Sequence, residues 1–307
     1  MNTTGHREQT AGRASRTPST ARHNAVGRFV ARHPRVRLAA ELLPPLAWLG
    51  VIYIGSLIAL VVTSLFSYKS DPTGLITTLD TKITSTNFHR LVTTDAYRTV
   101  TWRTLQSASI VTVVDAAVAI PVAFYIAKVA SAWARRTLIV AITMPLWAGY
   151  LVKGYAWRSI LDPGGGALKE LFGHTPGRGF AASTIVLAYL WFPYMLIAIY
   201  SGLERLPNSL LEASTDLGAK AGRTFRSVVI PQIIPSIVAG SIFTFSLTLG
   251  DFYMNRIVGG TTEFIGNVIY RQFSVDSPFA AAFAIVPIVI MIGYLVAARF
   301  TGALDEL

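Results

Sequence analysis

No cysteine occurs among the 307 residues, which excludes disulfides, thiolate metal ligands and thiol nucleophiles. Charge is also scarce: Asp, Glu, Lys and Arg make up 14% of the chain against 52% hydrophobic residues, and the mean hydropathy is +0.49. A water-soluble surface needs more charge than this, so the composition is that of an integral membrane protein. The five histidines, at 6, 23, 33, 89 and 174, form no pair at i,i+3 or i,i+4, which argues against a metal centre. No G-x-S-x-G nucleophile turn is present. The nearest approach to a phosphate-binding loop, Gly218-Ala-Lys-Ala-Gly222-Arg-Thr224, has three residues between its glycines where four are needed, and Arg where Lys should touch phosphate. No set of catalytic groups converges near a bilayer face, so a membrane-embedded enzyme has nothing to work with.

Long apolar runs are what the chain does contain. Six candidate helices fall at Leu42 to Phe66, Thr104 to Ala127, Thr137 to Tyr155, Ala182 to Leu203, Ile233 to Asn255 and Ala280 to Phe300, each near the roughly 20 residues that cross ~30 Å of hydrocarbon. The expected fold is all-α, a polytopic bundle of six transmembrane helices. Pro121, Pro145, Pro193, Pro235 and Pro287 each fall inside one of these spans, where proline kinks a helix or supplies a bend. The connections hold turn formers, Asp71-Pro-Thr-Gly74, Asp162-Pro-Gly-Gly-Gly166 and Thr175-Pro-Gly177, and none reads as a separate folded domain. Phe264, Ile265, Val268 and Ile269 recur at helical spacing and predict a short helix or re-entrant piece over 259–279.

Eight Arg fall in the first 37 residues against one acid, Glu8. Such an Arg-rich, Ser/Thr-rich stretch is disordered in water and drawn to anionic lipid, so residues 1–40 read as a cytoplasmic tail anchoring the topology of the bilayer domain over 41–307. The composition also fits an organellar transit peptide; nucleic-acid binding and a secretory signal peptide do not fit. An even number of spans puts both termini on one side. Placing them in the cytoplasm puts sixteen of the 27 Lys and Arg inside, with the bias strongest beside the first span, where the positive-inside rule is most dependable. The expected location is the plasma membrane, multi-pass, with both termini and the 204–232 loop cytoplasmic.

That loop is the polar break between the fourth and fifth spans. Pro207-Asn208-Ser209 followed by Glu212 offers a capping box, in which Ser209 and Glu212 satisfy free backbone amides and start a short helix. Leu210, Ala213, Ser214 and Leu217 make a narrow stripe on it, and Gly218 is a natural left-handed stop. A second stretch from Ala221 to Val229 is expected to end at Pro231. On local physics alone this is as readily a capped connector as a functional element.

Glu212-Ala-Ser, three residues, Gly218, nine residues, then Val228-Val-Ile230-Pro231 resembles the "EAA" signature of permease subunits of binding-protein-dependent ABC importers. Ser214 stands where the signature has its second Ala and Val228 where Ile is usual. Leu249-Gly-Asp-Phe252, Val258-Gly-Gly260, Ile265-Gly-Asn267 with Gln272-Phe273, and Tyr155-Ala-Trp157 are similar to permeases of the spermidine/putrescine type, over about residues 42–300. The resemblance implies a type I permease-like bundle whose loop, through Glu212, Ala213, Ser214, Gly218, Val228, Ile230 and Pro231, docks as a coupling helix on a separate ATPase subunit. It further implies no catalysis and no cofactor on this chain, ATP and Mg being held by that ATPase, together with a second permease, a paralogue, and an extracellular or periplasmic solute-binding protein. The implied cargo is a polyamine or a related small cation.

An ionisable group inside a span costs about 2.5 kcal/mol or more and should face a pathway or a partner. Asp115 lies in the middle of the Ile110 to Ile120 run; it reads as a cation-attracting site or as a contact between helices, and in an ion-gradient-driven carrier or channel, the alternative function, it would be the coupling acid. Asp251, beside Phe252 and Tyr253, could hold an ammonium by charge and cation-π attraction, or could cap a helix. Trp147, Tyr155 and Trp157 line the same route or anchor the chain at the membrane interface.

Overall fold

The computed structural model describes residues 34–70 and 77–300. The Arg-rich tail over 1–33 and the Asp71-Pro-Thr-Gly74 turn lie outside the described residues. The chain divides into two compact units, Met1–Ala59 and Leu60–Leu307.

In the first unit the described residues are helical, Pro34–Leu49 continuing through a π-turn, Gly50–Ile54. The membrane-length helix that starts here is α1, Glu41–Ser64, 24 residues. Its apolar side chains, Leu43, Leu46, Trp48 and Val51 among them, are exposed on every side, as suits a helix that meets lipid or another subunit.

The second unit opens with a short antiparallel hairpin, β1 Ser67–Ser70 and β2 Thr77–Asp80, closed by a Lys69–Asp80 ion pair at 2.7 Å. The sequence reading saw the turn formers here and missed the strands, which are too short for an alternating pattern to show. Next come α2 Thr86–Thr93, α3 Asp95–Val129, α4 Ala132–Trp147, α5 Tyr150–Ile160, α6 Ala167–Phe172 and α7 Phe180–Arg205. Then follow α8 Asn208–Asp216, α9 Ala221–Leu249, α10 Tyr253–Val258, α11 Ile265–Phe273 and α12 Ser277–Phe300. Five of these, α1, α3, α7, α9 and α12, are long and apolar enough to cross a bilayer singly, and α4 with α5 makes a sixth crossing if the bent pair is one span.

That bent pair corrects the third expected span. Between Trp147 and Tyr150 the direction changes by 97°, because Met144–Trp147 tightens into a 3₁₀ turn with Pro145 at its start and the chain leaves it in extended conformation at Ala148 and Gly149. Pro121, Pro193, Pro235 and Pro287 by contrast sit inside unbroken helices. The fifth span is also corrected. It begins at Ala221 and runs through Pro231, because a π-turn at Phe225–Val229, in which the Ile230 amide donates to Phe225 O, absorbs the proline before the α-helix resumes. It stops at Leu249, so residues 251–255 lie beyond it.

α3, α7 and α9 form the core of this unit. One face of α3, Thr104, Ser107, Ala108, Val111, Thr112, Asp115, Ala119 and Ala123, is buried at helical spacing and small for most of its length. Lipid tails give apolar helices no hydrophobic reason to associate, so close backbone approach and hydrogen bonds must hold them. Ser107 and Thr184 hydroxyls meet at 3.0 Å, and a Cβ at Gly240 would lie 2.7 Å from Met195 Sδ and 3.2 Å from Met195 Cα. Ile126, Met195, Ile199, Leu203, Val229 and Ile233 pack the end near α8. At the opposite end Val186, Leu187, Met254 and Phe264 form one cluster, and Phe279 and Phe283 another.

Candidate functional site

Two regions carry the expected site residues, at opposite ends of α9. The first is the loop built on α8. Its N-terminus is not the expected capping box: the residue before the helix is Pro207, no side chain caps it, and Asn208 is already helical. Glu212 therefore lies beyond the first turn, too far along to reach back to the free amides. What fixes this end is a cation from elsewhere in the chain: Lys128, at the end of α3, donates to Leu206 O at 2.6 Å and to Asn208 Oδ1 at 3.1 Å. Arg135 donates to Ile126 O at 3.0 Å and to Ala127 O at 2.9 Å, satisfying carbonyls at the end of the same helix.

The other end of α8 is a full Schellman closure. The Gly218 amide donates to Thr215 O at 2.8 Å and the Ala219 amide to Ser214 O at 3.1 Å, with Gly218 at φ +77°. Ser214 Oγ meets Thr224 Oγ1 at 2.8 Å, joining α8 to the first turn of α9. Leu211 packs inward on the core, whereas Glu212, Ala213, Asp216 and Leu217 face outward, Leu217 at 88% exposure. The expected stripe of Leu210, Ala213, Ser214 and Leu217 is thus split, with Ser214 turned inward and the other three exposed. Among the described residues Glu212 makes no ion pair. Further along, Val228 and Ile230 are half-buried, Pro231 is exposed and Val229 is fully buried. A cavity of about 470 Å³ lies under the loop, lined by Leu211, Ala219, Ala221, Phe225 and Val229 with Phe124 of α3.

The second region surrounds Asp251, which is 6% exposed. Its Oδ1 accepts from the Met254 amide at 2.9 Å and the Asn255 amide at 3.4 Å, and its Oδ2 accepts from the Tyr150 hydroxyl. The carboxylate thus caps α10, and Tyr150, the first residue after the α4/α5 bend, closes over it. Tyr150 stacks on Trp191 with centroids 6.1 Å apart, Trp191 neighbours Tyr194 at 6.0 Å, and Tyr194 stacks on Phe243 at 6.4 Å. Asn255 binds the surrounding turns together: its Nδ2 donates to Thr262 O at 2.8 Å and to Asn267 Oδ1 at 2.6 Å, and its Oδ1 accepts from Ser183 at 2.7 Å.

Only part of the expected pathway gathers here. Tyr253 is beside Asp251 in the chain and half-exposed, its ring against Phe252 at 4.8 Å. Trp157 packs edge-on against Tyr189 at 5.2 Å, while Trp147 is 90% and Tyr155 58% exposed. Asp115 is 2% exposed and, among the described residues, its Oδ2 has no hydrogen-bond partner. It lies one turn beyond Thr112, whose hydroxyl accepts from Thr244 at 3.4 Å; that level of α9 is about seven residues, roughly 10 Å, from Asp251. Sequence reasoning missed Lys128, Tyr150, Trp191, Tyr194 and Asn255. A lone polar or aromatic residue in an apolar run was the only signal available, and nothing in the sequence pairs Tyr150 with Asp251.

Comparison with known proteins adds a family. Residues 102–306 match the family described as "Binding-protein-dependent transport system inner membrane component". The inner membrane ABC transporter permease protein YdcU of Escherichia coli K12 is 38% identical over 311 aligned positions, covering 95% of this chain and 98% of that one. The spermidine/putrescine transport system permease protein PotB of Escherichia coli K12 is 33% identical over 215, covering 67% and 78%. Among solved structures, a chain of a bacterial ABC transporter involved in the import of the acidic polysaccharide alginate superposes with a TM-score of 0.69 over 90% of this chain and 98% of that one, at 16% identity. A chain of the MetNI methionine ABC transporter gives 0.54 over 68% and 97%, also at 16%. At such identities the two structures speak for the fold.

Proposed function

This chain belongs to the family of binding-protein-dependent transport system inner membrane components, the permease subunits of ABC importers, and from that premise we propose that it couples a separate ATPase to solute passage through α8. It is a non-catalytic, multi-pass membrane subunit; the ion-gradient carrier built around Asp115 gives way to this membership. The observation that carries the coupling role is the structure of the loop itself. α8 offers an outward face of Glu212, Ala213, Asp216 and Leu217 with no ion-pair partner among the described residues for the Glu212 carboxylate, while Lys128, Leu211 and Ser214 fasten its inner side to α3 and α9. Force on that face reaches the two core helices directly.

In this reading the loop and both termini are cytoplasmic, and ATP with Mg is bound by the ATPase subunits. Closure of these draws the α8 helices of two permeases together, and a solute-binding protein delivers cargo at the opposite end. The second permease is a paralogue, as in importers of the spermidine/putrescine type. Residues 1–40 form a lipid-attracted tail, 41–307 the bilayer domain and 204–232 the coupling loop. Substituting Gly218→Pro tests the coupling step: proline removes the amide that donates to Thr215 O and cannot reach φ +77°. Membrane insertion should survive, with uptake and solute-stimulated ATP hydrolysis abolished; full transport by that variant counts against the role.

For the cargo we propose a polyamine or similar small cation. Support comes from the specificity named for the PotB relative and from the buried carboxylate of Asp251 under the Tyr150 hydroxyl, with Tyr253 two residues further along the chain. An ammonium reaching Asp251 would replace the Tyr150 hydroxyl, so the tyrosine acts as the displaceable cover. In this reading Trp157 lines the same route, Asp115 lies deeper on it, and Trp147 and Tyr155 stand at its exposed margin. Uptake of labelled spermidine and putrescine by the complete importer, with competition by other solutes, is the direct test; a failure of polyamines both to be taken up and to compete would remove them from consideration.

A further inference from the structure

At the end of the bundle away from α8, a cavity of about 720 Å³ opens between α2, the first turns of α3 and α12. Its position in a bilayer follows from helix lengths. The 35 residues of α3 span about 52 Å, far more than the ~30 Å of hydrocarbon. Lys128 marks the polar boundary at one end of α3; about 20 residues back, near Ala108, is the other boundary. Trp102 then lies about two turns beyond it, at headgroup level, and Leu105 at the boundary itself. On α12, counting back in the same way from Arg299 places Phe283 and Val286 inside the hydrocarbon. The lining therefore changes with depth: an apolar floor of Leu105, Phe283 and Val286, then Trp102 at 61% exposure, then Asp95 and Arg98 at the mouth, paired at 3.3 Å.

We propose that this cavity binds a zwitterionic phospholipid, phosphatidylethanolamine, from the leaflet opposite the coupling loop. One acyl chain lies on the apolar floor, the phosphate accepts hydrogen bonds from Arg98, and the primary ammonium donates to Asp95. The charge pattern selects this occupant. Asp95 and Arg98 stand three residues apart on one helix face, and the pair matches the opposite charges of that headgroup, whereas a purely anionic lipid would bring a phosphate for Arg98 but no cation for Asp95. Trp102 at this depth presents an apolar ring to the glycerol region and an N–H to its oxygens. An apolar helix from a neighbouring subunit would fill the floor but bring no charges to the Asp95–Arg98 pair at the mouth. The proposal depends only on the bundle lying in a bilayer, so it stands or falls separately from the importer reading.

The complete importer, stripped stepwise of bulk lipid in detergent, is examined by native mass spectrometry with phosphatidylethanolamine, phosphatidylcholine and phosphatidylglycerol added back in turn. Wild type is expected to retain one phosphatidylethanolamine per copy of this chain in preference to the other two. Phosphatidylcholine, whose quaternary ammonium has no N–H for Asp95, should bind more weakly. Arg98→Gln, at an exposed position that does not disturb the core, should lower retention by about tenfold, the effect of losing one hydrogen bond to a charged group. Val286→Trp, which fills the floor, should abolish it. Equal retention by wild type and Arg98→Gln, or equal retention of all three lipids, overturns the proposal, and the Arg98 result decides even if Val286→Trp fails to fold. Because the chain has no native cysteine, Trp102→Cys separates the possible occupants: a phosphatidylethanolamine analogue with a maleimide near its headgroup should label it, and a crosslink to a neighbouring subunit in place of that label overturns the lipid assignment.

Discussion

Lys128 joins the two halves of the proposed mechanism at a single side chain, since its ammonium is shared between Leu206 O and Asn208 Oδ1 just ahead of α8. Hydrogen bonds to a charged group are worth about 1.5–3 kcal/mol, enough to hold the helix start in one place. Lys128→Met should leave the importer assembled, yet reduce solute-stimulated ATP hydrolysis by about tenfold, with Lys128→Arg restoring much of it; unchanged stimulation in the Met variant would remove the tether from the mechanism. Asp251 separates capping from charge. Asp251→Asn retains an acceptor for the Met254 and Asn255 amides, so folding should hold while uptake of a cationic solute is lost, whereas Asp251→Ala should also cost about 1 kcal/mol of stability as a lost cap. Asp115 has a buried oxygen with no hydrogen-bond partner among the described residues, a state costing roughly 1–3 kcal/mol. Asp115→Leu is therefore expected to raise the melting temperature and to impair uptake; a variant that melts higher and transports normally would make the carboxyl a leftover of packing.

Among the elements, α8 owes its end to one glycine and its start to a contact no local rule anticipates. Gly218→Ala forces a Cβ into the left-handed region at about 1–2 kcal/mol, so transport should be weakened where Gly218→Pro abolishes it. The packing of α7 on α9 rests on Gly240, where a side chain would strike Met195 and Ala198. Gly240→Val should lower stability by about 1–3 kcal/mol through overpacking, seen as earlier thermal denaturation in detergent; an unchanged melting curve would mean that the helices can part without cost. The existence of the helices was legible from apolar runs, and the turn at Gly218 from its residue type. The capping box fails for a definite reason: Ser209 and Glu212 have the right spacing, but the helix starts two residues earlier than the box requires, at Asn208, whose Oδ1 accepts from Lys128. Pro231 misled in the same way, since a π-turn only five residues long let the helix continue through it.

For the whole molecule, the proposed sidedness of the membrane domain is open to direct measurement. In this cysteine-free background, Ala213→Cys on the exposed face of α8 should react with an impermeant thiol reagent only from the cytoplasmic side, and Lys169→Cys beyond the α5 end of the bundle only from the other. The reverse pattern would overturn both the orientation and the coupling role. Binding of the ATPase subunits should in addition protect Ala213→Cys, because the face it occupies is the exposed one on which the proposed coupling contact is made.

The order of apolar runs, the excess of Arg near the start and the spacing from Glu212 through Gly218 to Pro231 determined, without coordinates, a polytopic helical membrane protein with one specialised polar loop. They could do so because hydrophobic length and turn chemistry are local properties. Only the tertiary structure decided that Asp251 is covered by Tyr150, that Lys128 fastens α8, that the third crossing bends by 97° and that Asp115 Oδ2 is buried without a hydrogen-bond partner among the described residues. The bend follows a local 3₁₀ turn at Pro145 whose angle the residue types alone do not give; the others depend on which residues distant in the chain come within about 3 Å of one another, and the small residues that recur along one face of α3 mark a close contact without saying which helix makes it.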